Sequence, residues 1–325
     1  MADHRRVPLT MQLRHLIAEH GTSLMVAGIV IGLAAPPLAS ALHPALPVFT
    51  FLTTMATMLR LDWRQVAAQI RRPTRVALVL GWTLFGTPLL MALALRMIDL
   101  PSGLSQSLVL WSGCAPLSSA AAIALLLDLD AALALVAAML GILVMPVSLP
   151  LIGGVLGGLP LDLGIADMMR RLVEFVGGAA LAAAILSRVA GSERLRRHRP
   201  TLDSSMVILL VLFAIAAMDG VTATALTQPA KVAGFVGAAF VASLGMQAAN
   251  TLVFGKLGWR GALTAGLLGG NRNMAVVIAA LGAAASPDLL LFFAAAQFPI
   301  YILPAALAPL YRVALRRTDT LSGAV

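Results

Sequence analysis

One cysteine, Cys114, stands in 325 residues, which excludes a disulfide within the chain and any thiolate metal cluster. A lone thiol of this kind reads as a small buried apolar residue. Charge is scarce too: Asp, Glu, Lys and Arg make up 11% of the chain, against about a quarter in soluble domains. Aromatic residues are 5% and do not interleave with the basic ones, so the net charge of +9 does not point to nucleic acid. No phosphate-cradling glycine loop, metal-ligand cluster or nucleophile-and-base constellation occurs, and an enzyme is not expected.

What is abundant is apolar. Hydrophobic residues are 60% of the chain and the mean hydropathy is +0.93, which makes lipid the solvent. In hydrocarbon every backbone polar group needs a partner inside the protein, and nothing here alternates as barrel strands do, so the spans are helices. Apolar runs at 23–43, 45–59, 76–97, 104–127, 131–157, 166–190, 202–218, 230–254, 261–284 and 287–311 predict ten. The second is short and bounded by Pro44 and Pro47.

With both termini inside, 18 of the 23 basic residues fall on the cytoplasmic side, leaving Arg96, Arg170, Arg171, Lys231 and Arg272. That bias sets the expected orientation. The first twenty residues, with Arg5, Arg6 and Arg14, read as a cytoplasmic amphipathic lead-in, not a cleaved signal peptide.

The chain repeats itself weakly. Pro73-Thr74-Arg75-Val76-Ala77 opens the third run and Pro229-Ala230-Lys231-Val232-Ala233 the eighth, 156 residues later. The same offset carries Gly113-Cys114-Ala115-Pro116 onto Gly269-Gly270-Asn271-Arg272, the two runs most clearly interrupted. Five spans per repeat is odd, so the halves insert with opposite orientation, and paired broken helices in inverted repeats mark an alternating-access transporter. The expected organisation is a cytoplasmic segment at 1–22, repeats at 23–157 and 166–311 joined by a loop at 158–165, and a cytoplasmic tail at 312–325.

Arg272 is the basic residue in the middle of a span, where a charge costs about 2.5–3.5 kcal/mol on insertion scales. Asn271 and Asn273 flank it, and Gly269 and Gly270 are expected to break the helix before it. In the fourth run Pro116 removes a donor, and Ser118 and Ser119 are placed to cap a second half-helix. Half-helix N-termini and a guanidinium converging there favour an anion. The alternative is that Arg272 is structural, neutralising half-helix carbonyls without touching substrate, and both readings stay open.

Asp128 and Asp130 form a turn that caps the fifth span or relays protons. Glu174 has the spacing for an ion pair with Arg170 or Arg171. Gln247, Asn250 and Gln297 read as interhelical hydrogen-bonding residues, and His43 as an external residue beside Pro44.

Met55 through Leu90 contains a Met-rich helix end, Leu59-Arg60-Leu61-Asp62-Trp63, Arg71-Arg72-Pro73 and Thr87-Pro88-Leu89-Leu90. With Thr264 through Val277 in the ninth run, these stretches resemble the bile acid:sodium symporter (BASS) superfamily, in a divergent, bacterial-type form. The resemblance implies ten helices, with a panel domain from helices 1, 2, 6 and 7 and a core domain from helices 3–5 and 8–10. It further implies an inner-membrane location, substrate in the cavity between the domains, and sodium-driven uptake of carboxylates or sulfates.

The sequence departs from that pattern at the sodium ligands. Leu268 stands at the family's glutamate, Arg272 at its crossover glutamine, Thr83 at the glutamine of helix 3, Ala120 and Ala121 at the serine and asparagine of helix 4, and Ala134 and Ala138 at the hydroxyls of helix 5. Sodium needs oxygen ligands, which Ala and Leu side chains lack.

The expectation is therefore a secondary transporter of small organic anions that is sodium-independent, with Arg272 supplying the positive charge. The residues expected around substrate are Arg272, Asn271, Asn273, Ser118, Ser119, Cys114 and Thr83. Partners are the anion and the lipid bilayer, with no other cofactor. A two-residue slip in helix 4 would restore serines and sodium coupling. A membrane sensor on a transporter fold is the further alternative, weighed against by the eight residues after Arg317.

Overall fold

The computed structural model of the chain describes residues 21–59, 73–157 and 164–322. The expected lead-in, the arginines between 60 and 72 and most of the loop at 158–165 lie outside the described residues. Secondary structure among these is helical throughout. It comprises α1 (Gly21–Ala34), α2 (Pro36–Leu42), α3 (Leu46–Leu59), α4 (Pro73–Gly81), α5 (Thr87–Leu95), α6 (Ser102–Gly113), α7 (Ala120–Leu126) and α8 (Ala131–Leu156). The second half comprises α9 (Ile165–Ala190), α10 (Ser192–Arg197), α11 (Arg199–Ala216), α12 (Val221–Thr227), α13 (Pro229–Val253), α14 (Trp259–Gly270), α15 (Ala275–Leu281) and α16 (Pro287–Ser322). Seven helical stretches among the described residues are long and apolar enough to cross a membrane. The chain is thus an all-α, polytopic integral membrane protein by length and composition.

The first two apolar runs divide differently from the sequence expectation. Pro36–Leu59 is one continuous 24-residue stretch, and Ser23–Ala34 is a shorter helix before it. The break falls at Ala35, with φ −124° and ψ 70°, because a residue preceding proline is pushed out of the helical region. Pro44 lies in the first turn of a short 3₁₀ segment, His43–Ala45, where proline's missing N–H costs nothing. The last helix also runs past the expected end at 311, to Ser322.

The chain divides into two compact units, residues 21–59 with Ala179–Ala223 and residues 73–178 with 224–322. In the first, α11 packs against α1, α2 and α3. Glycine permits the approach of α1: a Cβ on Gly32 would lie 2.8 Å from the Ile215 carbonyl oxygen and 2.9 Å from Met218 Cβ. Thr222 donates to the Leu33 carbonyl at 2.8 Å, satisfying a C-terminal oxygen of α1 that the helix leaves free. His43 stands 3.7 Å from Asp219.

In the second unit α8 and α16 are the most deeply buried of the long helices. α8 packs on α6, α7 and α14, and α16 on α6 and α13. Both carry internal prolines, Pro146 and Pro150 in α8 and Pro299, Pro304 and Pro309 in α16. Membrane helices tolerate this where neighbouring groups satisfy the freed carbonyls.

Candidate functional site: a crossing of two broken helices

Two helical stretches of the second unit break in the same way. α6 has 12 residues and α7 has 7; α14 has 12 and α15 has 7. Cys114, with ψ 154°, and Asn271, with φ −122° and ψ 99°, are the extended residues that end α6 and α14. The extended segments lie against each other as a short antiparallel bridge, Pro116 facing Arg272. Leu117 N donates to the Asn271 carbonyl at 2.9 Å and Asn273 N to the Ala115 carbonyl at 2.8 Å. Each break thus satisfies backbone groups freed by the other.

Arg272 is 1% exposed. Its Nε donates to the Gly269 carbonyl at 2.9 Å, and Nη1 donates to the carbonyls of Thr83 and Cys114, both at 3.0 Å. Gly269 is in the last turn of α14 and Cys114 ends α6, so the guanidinium lies where both half-helices present negative dipole ends. Among the described residues no carboxylate forms an ion pair with it, and Nη2 has no hydrogen-bond partner. The carbonyl-neutralising alternative accounts for these contacts. The guanidinium is turned to half-helix C-termini instead of joining the N-termini in an anion pocket.

The Thr83 carbonyl is free for a reason written in the sequence. Residues Trp82–Gly86 form a π-helical turn between α4 and α5, in which Thr87 N donates to the Trp82 carbonyl rather than to Thr83. The next donor the turn could offer Thr83 belongs to Pro88, which has no N–H. Gly86 admits the turn because a Cβ there would run into the Trp82 ring. The Thr83 hydroxyl is buried without a partner; it is the backbone of Thr83 that meets Arg272.

The remaining predicted residues gather at the same crossing. Asn271 is fully buried, and its Nδ2 donates to the Leu267 carbonyl at 2.9 Å. Asn273 Nδ2 donates to Ser118 Oγ at 3.3 Å, with Ser118 and Ser119 half-buried. Ser119 occupies the N-cap position of α7 but makes no side-chain capping bond, because it sits at φ −82°, ψ −1°, outside the extended geometry that aims a cap side chain at the first turn. Cys114 is buried, its thiol donating to the Leu110 carbonyl at 3.3 Å.

Gly269 and Gly270 do not break the helix by unusual torsions; both are its last residues. Their function is close approach. A Cβ on Gly269 would run into Asn250, and one on Gly270 into Gln247 and the Ser243 carbonyl, and Ser243 Oγ donates to the Gly270 carbonyl. Gln247 accepts from Tyr311 on α16 at 3.0 Å, an interhelical bond as expected. Asn250 and Gln297 instead bond within their own helices, to Met246 and Phe293, by reaching back one turn to a carbonyl four residues earlier.

Of the residues that the resemblance sets at sodium-ligand positions, Ala120, Ala121, Ala134, Ala138 and Leu268 offer no side-chain oxygen to a sodium ion. Ala120, Ala134 and Leu268 are fully buried in one apolar cluster, with Ala121 packed against it, and Ala138 is buried as well. Among the described residues no group of three His, Cys, Asp or Glu is arranged for a metal. Asp130 caps α8, accepting from Leu133 N at 2.9 Å, and pairs with Arg75 at 3.4 Å, while Asp128 pairs with Arg260 at 2.9 Å. Glu174 pairs with Arg170 at 3.2 Å; Arg171 turns to Asp167.

No family model matches the chain, and no curated protein matches it in sequence.

Proposed function

We propose that this protein is a secondary transporter of small organic anions that works by alternating access without sodium, Arg272 serving as its built-in cation. The observation that carries the reading is the crossing itself: two broken helices of equal lengths, bridged at residues 156 apart. That is the offset at which the sequence repeats, and paired broken helices are where transporters of inverted-repeat design bind their cargo. The seven long helices, the shorter Ser23–Ala34 and the two broken helices, taken as one span each, give ten. Adding the offset of 156 to residues 23–59 gives 179–215, inside the Ala179–Ala223 segment that shares their compact unit, as panel helices 1 and 2 and their repeats would. The bile acid:sodium symporter superfamily remains the resemblance that fits this arrangement.

In this reading Arg272 and Thr83, both at family sodium-ligand positions, are joined by a hydrogen bond, and the guanidinium supplies the charge that a sodium ion would bring. Substrate does not touch it, because Arg272 is closed off. The half-buried Ser118 and Ser119, with Asn273, are the polar groups that meet a carboxylate. The buried charge of Arg272 attracts a carboxylate held by those groups without touching it, because Coulomb attraction reaches beyond contact distance in a medium of low dielectric.

The test is uptake of labelled monocarboxylates, keto acids and sterol-like anions into proteoliposomes, in sodium and in choline at fixed pH. Equal uptake in both salts, lost in Arg272→Gln, is the expected result. Uptake that collapses in choline returns the protein to sodium coupling, and no uptake of any anion leaves the sensor alternative ahead.

A further inference from the structure

Two ion pairs of the second unit have the same construction. Arg75, in the first turn of α4, meets Asp130, the N-cap of α8, at 3.4 Å. Lys231, in the first turn of α13, meets Asp288, in the first turn of α16, at 2.7 Å. Arg75 and Lys231 are 156 residues apart, at corresponding places in the two Pro-x-basic-Val-Ala stretches. Asp130 is likewise 156 residues before Ser286, whose hydroxyl accepts from Leu289 N at 3.2 Å at the start of α16.

Each pair also leans on a glycine of the other half. A Cβ on Gly103, in the first turn of α6, would run into the Asp288 carboxylate, with Asp288 Cβ itself 2.9 Å away. A Cβ on Gly261, in the first turn of α14, would run into the Arg75 guanidinium, whose Cζ is 3.4 Å away. The pair built from the first half seats on the second half's broken helix, and the reverse.

From Gly103 to the end of α6, and from Gly261 to the end of α14, is about 15 Å of helix. The half-helices enter the antiparallel bridge from opposite directions. Each pair therefore stands about 15 Å along its half-helix from the bridge, roughly half the thickness of a hydrocarbon core.

We propose that Arg75–Asp130 and Lys231–Asp288 are one device used twice: a clasp at each membrane face that grips the glycine-bearing start of the opposite broken helix. Together they hold the crossing that carries Arg272. The equivalence of the two clasps rests on the inverted-repeat reading above; their action on the half-helices does not rest on transport.

The experiment is a set of double-mutant cycles in the melting temperature of the purified full chain in detergent. Lys231→Met and Asp288→Asn form one cycle, and Arg75→Met and Asp130→Asn the other. Each single change is expected to lower Tm by about 2–4 °C, and each double change by clearly less than the sum. Gly103→Ala is expected to lower Tm in the native background and to have no further effect once Asp288→Gly has removed both the carboxylate and the Cβ that it would meet. Additive losses in either cycle, or a Gly103→Ala loss that persists without Asp288, overturn the clasps whatever the chain carries. Coupled cycles in a protein that takes up no anion keep the clasps and remove the transporter reading.

Discussion

Arg272 was legible in the sequence as a charge in the middle of an apolar run, because no other basic residue sits so far from a run's end. What it touches was not. Its partners are three backbone carbonyls, and carbonyls leave no mark in a sequence except where a nearby residue fails to use them. The adjacent glycines show the same difficulty, since close packing and unusual torsions both call for the absence of a side chain. Gly270 packs against Ser243 and Gln247, whereas Gly245, on the neighbouring α13, faces open space. Gly270→Ala is therefore expected to destabilise the protein by about 1–3 kcal/mol through overpacking. Gly245→Ala is expected to stabilise it by about 0.4–1 kcal/mol by restricting the unfolded chain. Thermal melts of the two variants side by side check this, and equal effects would remove the close-approach explanation for Gly270.

The breaks in α6–α7 and α14–α15 could be read from Pro116, the glycines and the asparagines, since these residues interrupt apolar runs that otherwise propagate. The π turn at Trp82–Gly86 could not be foreseen from hydrophobic pattern, because it changes neither composition nor length; its trace is Pro88, five residues after Thr83. Restoring an N–H there gives the Thr83 carbonyl a competing donor. Pro88→Ala is accordingly expected to lower the melting temperature by a few degrees, the reverse of what removing proline from a helix usually does. The loss should vanish in an Arg272→Gln background, because the carbonyl then has no guanidinium to lose. Hydrogen exchange of the amide that Pro88→Ala introduces is the direct measurement: protection means the helix has reclaimed Thr83, while free exchange would show that the turn persists for reasons other than proline.

At the scale of the whole molecule, an odd number of spans in each half is what turns a repeat upside down. The offset of 156 residues relates Asp99, in the segment before α6, to Gly255, in the segment before α14, and Lys256 is the next residue. In the ten-span arrangement proposed above, spans four to eight separate Asp99 from Lys256, which puts the two sites on opposite sides of the membrane; an even count would put them together. Lysine and arginine bias assigns Lys256 to the inside. Both positions are exposed, and the single native cysteine is buried, so Asp99→Cys and Lys256→Cys can each be labelled against a silent background. A membrane-impermeant maleimide added to intact cells is expected to label Asp99→Cys and not Lys256→Cys, with the reverse in inside-out vesicles. The native chain should stay unlabelled in both. Labelling of both variants from the same side would mean an even number of crossings between them. The two broken helices would then belong to halves of the same orientation, and the pseudo-two-fold relation on which alternating access through this crossing depends would be lost.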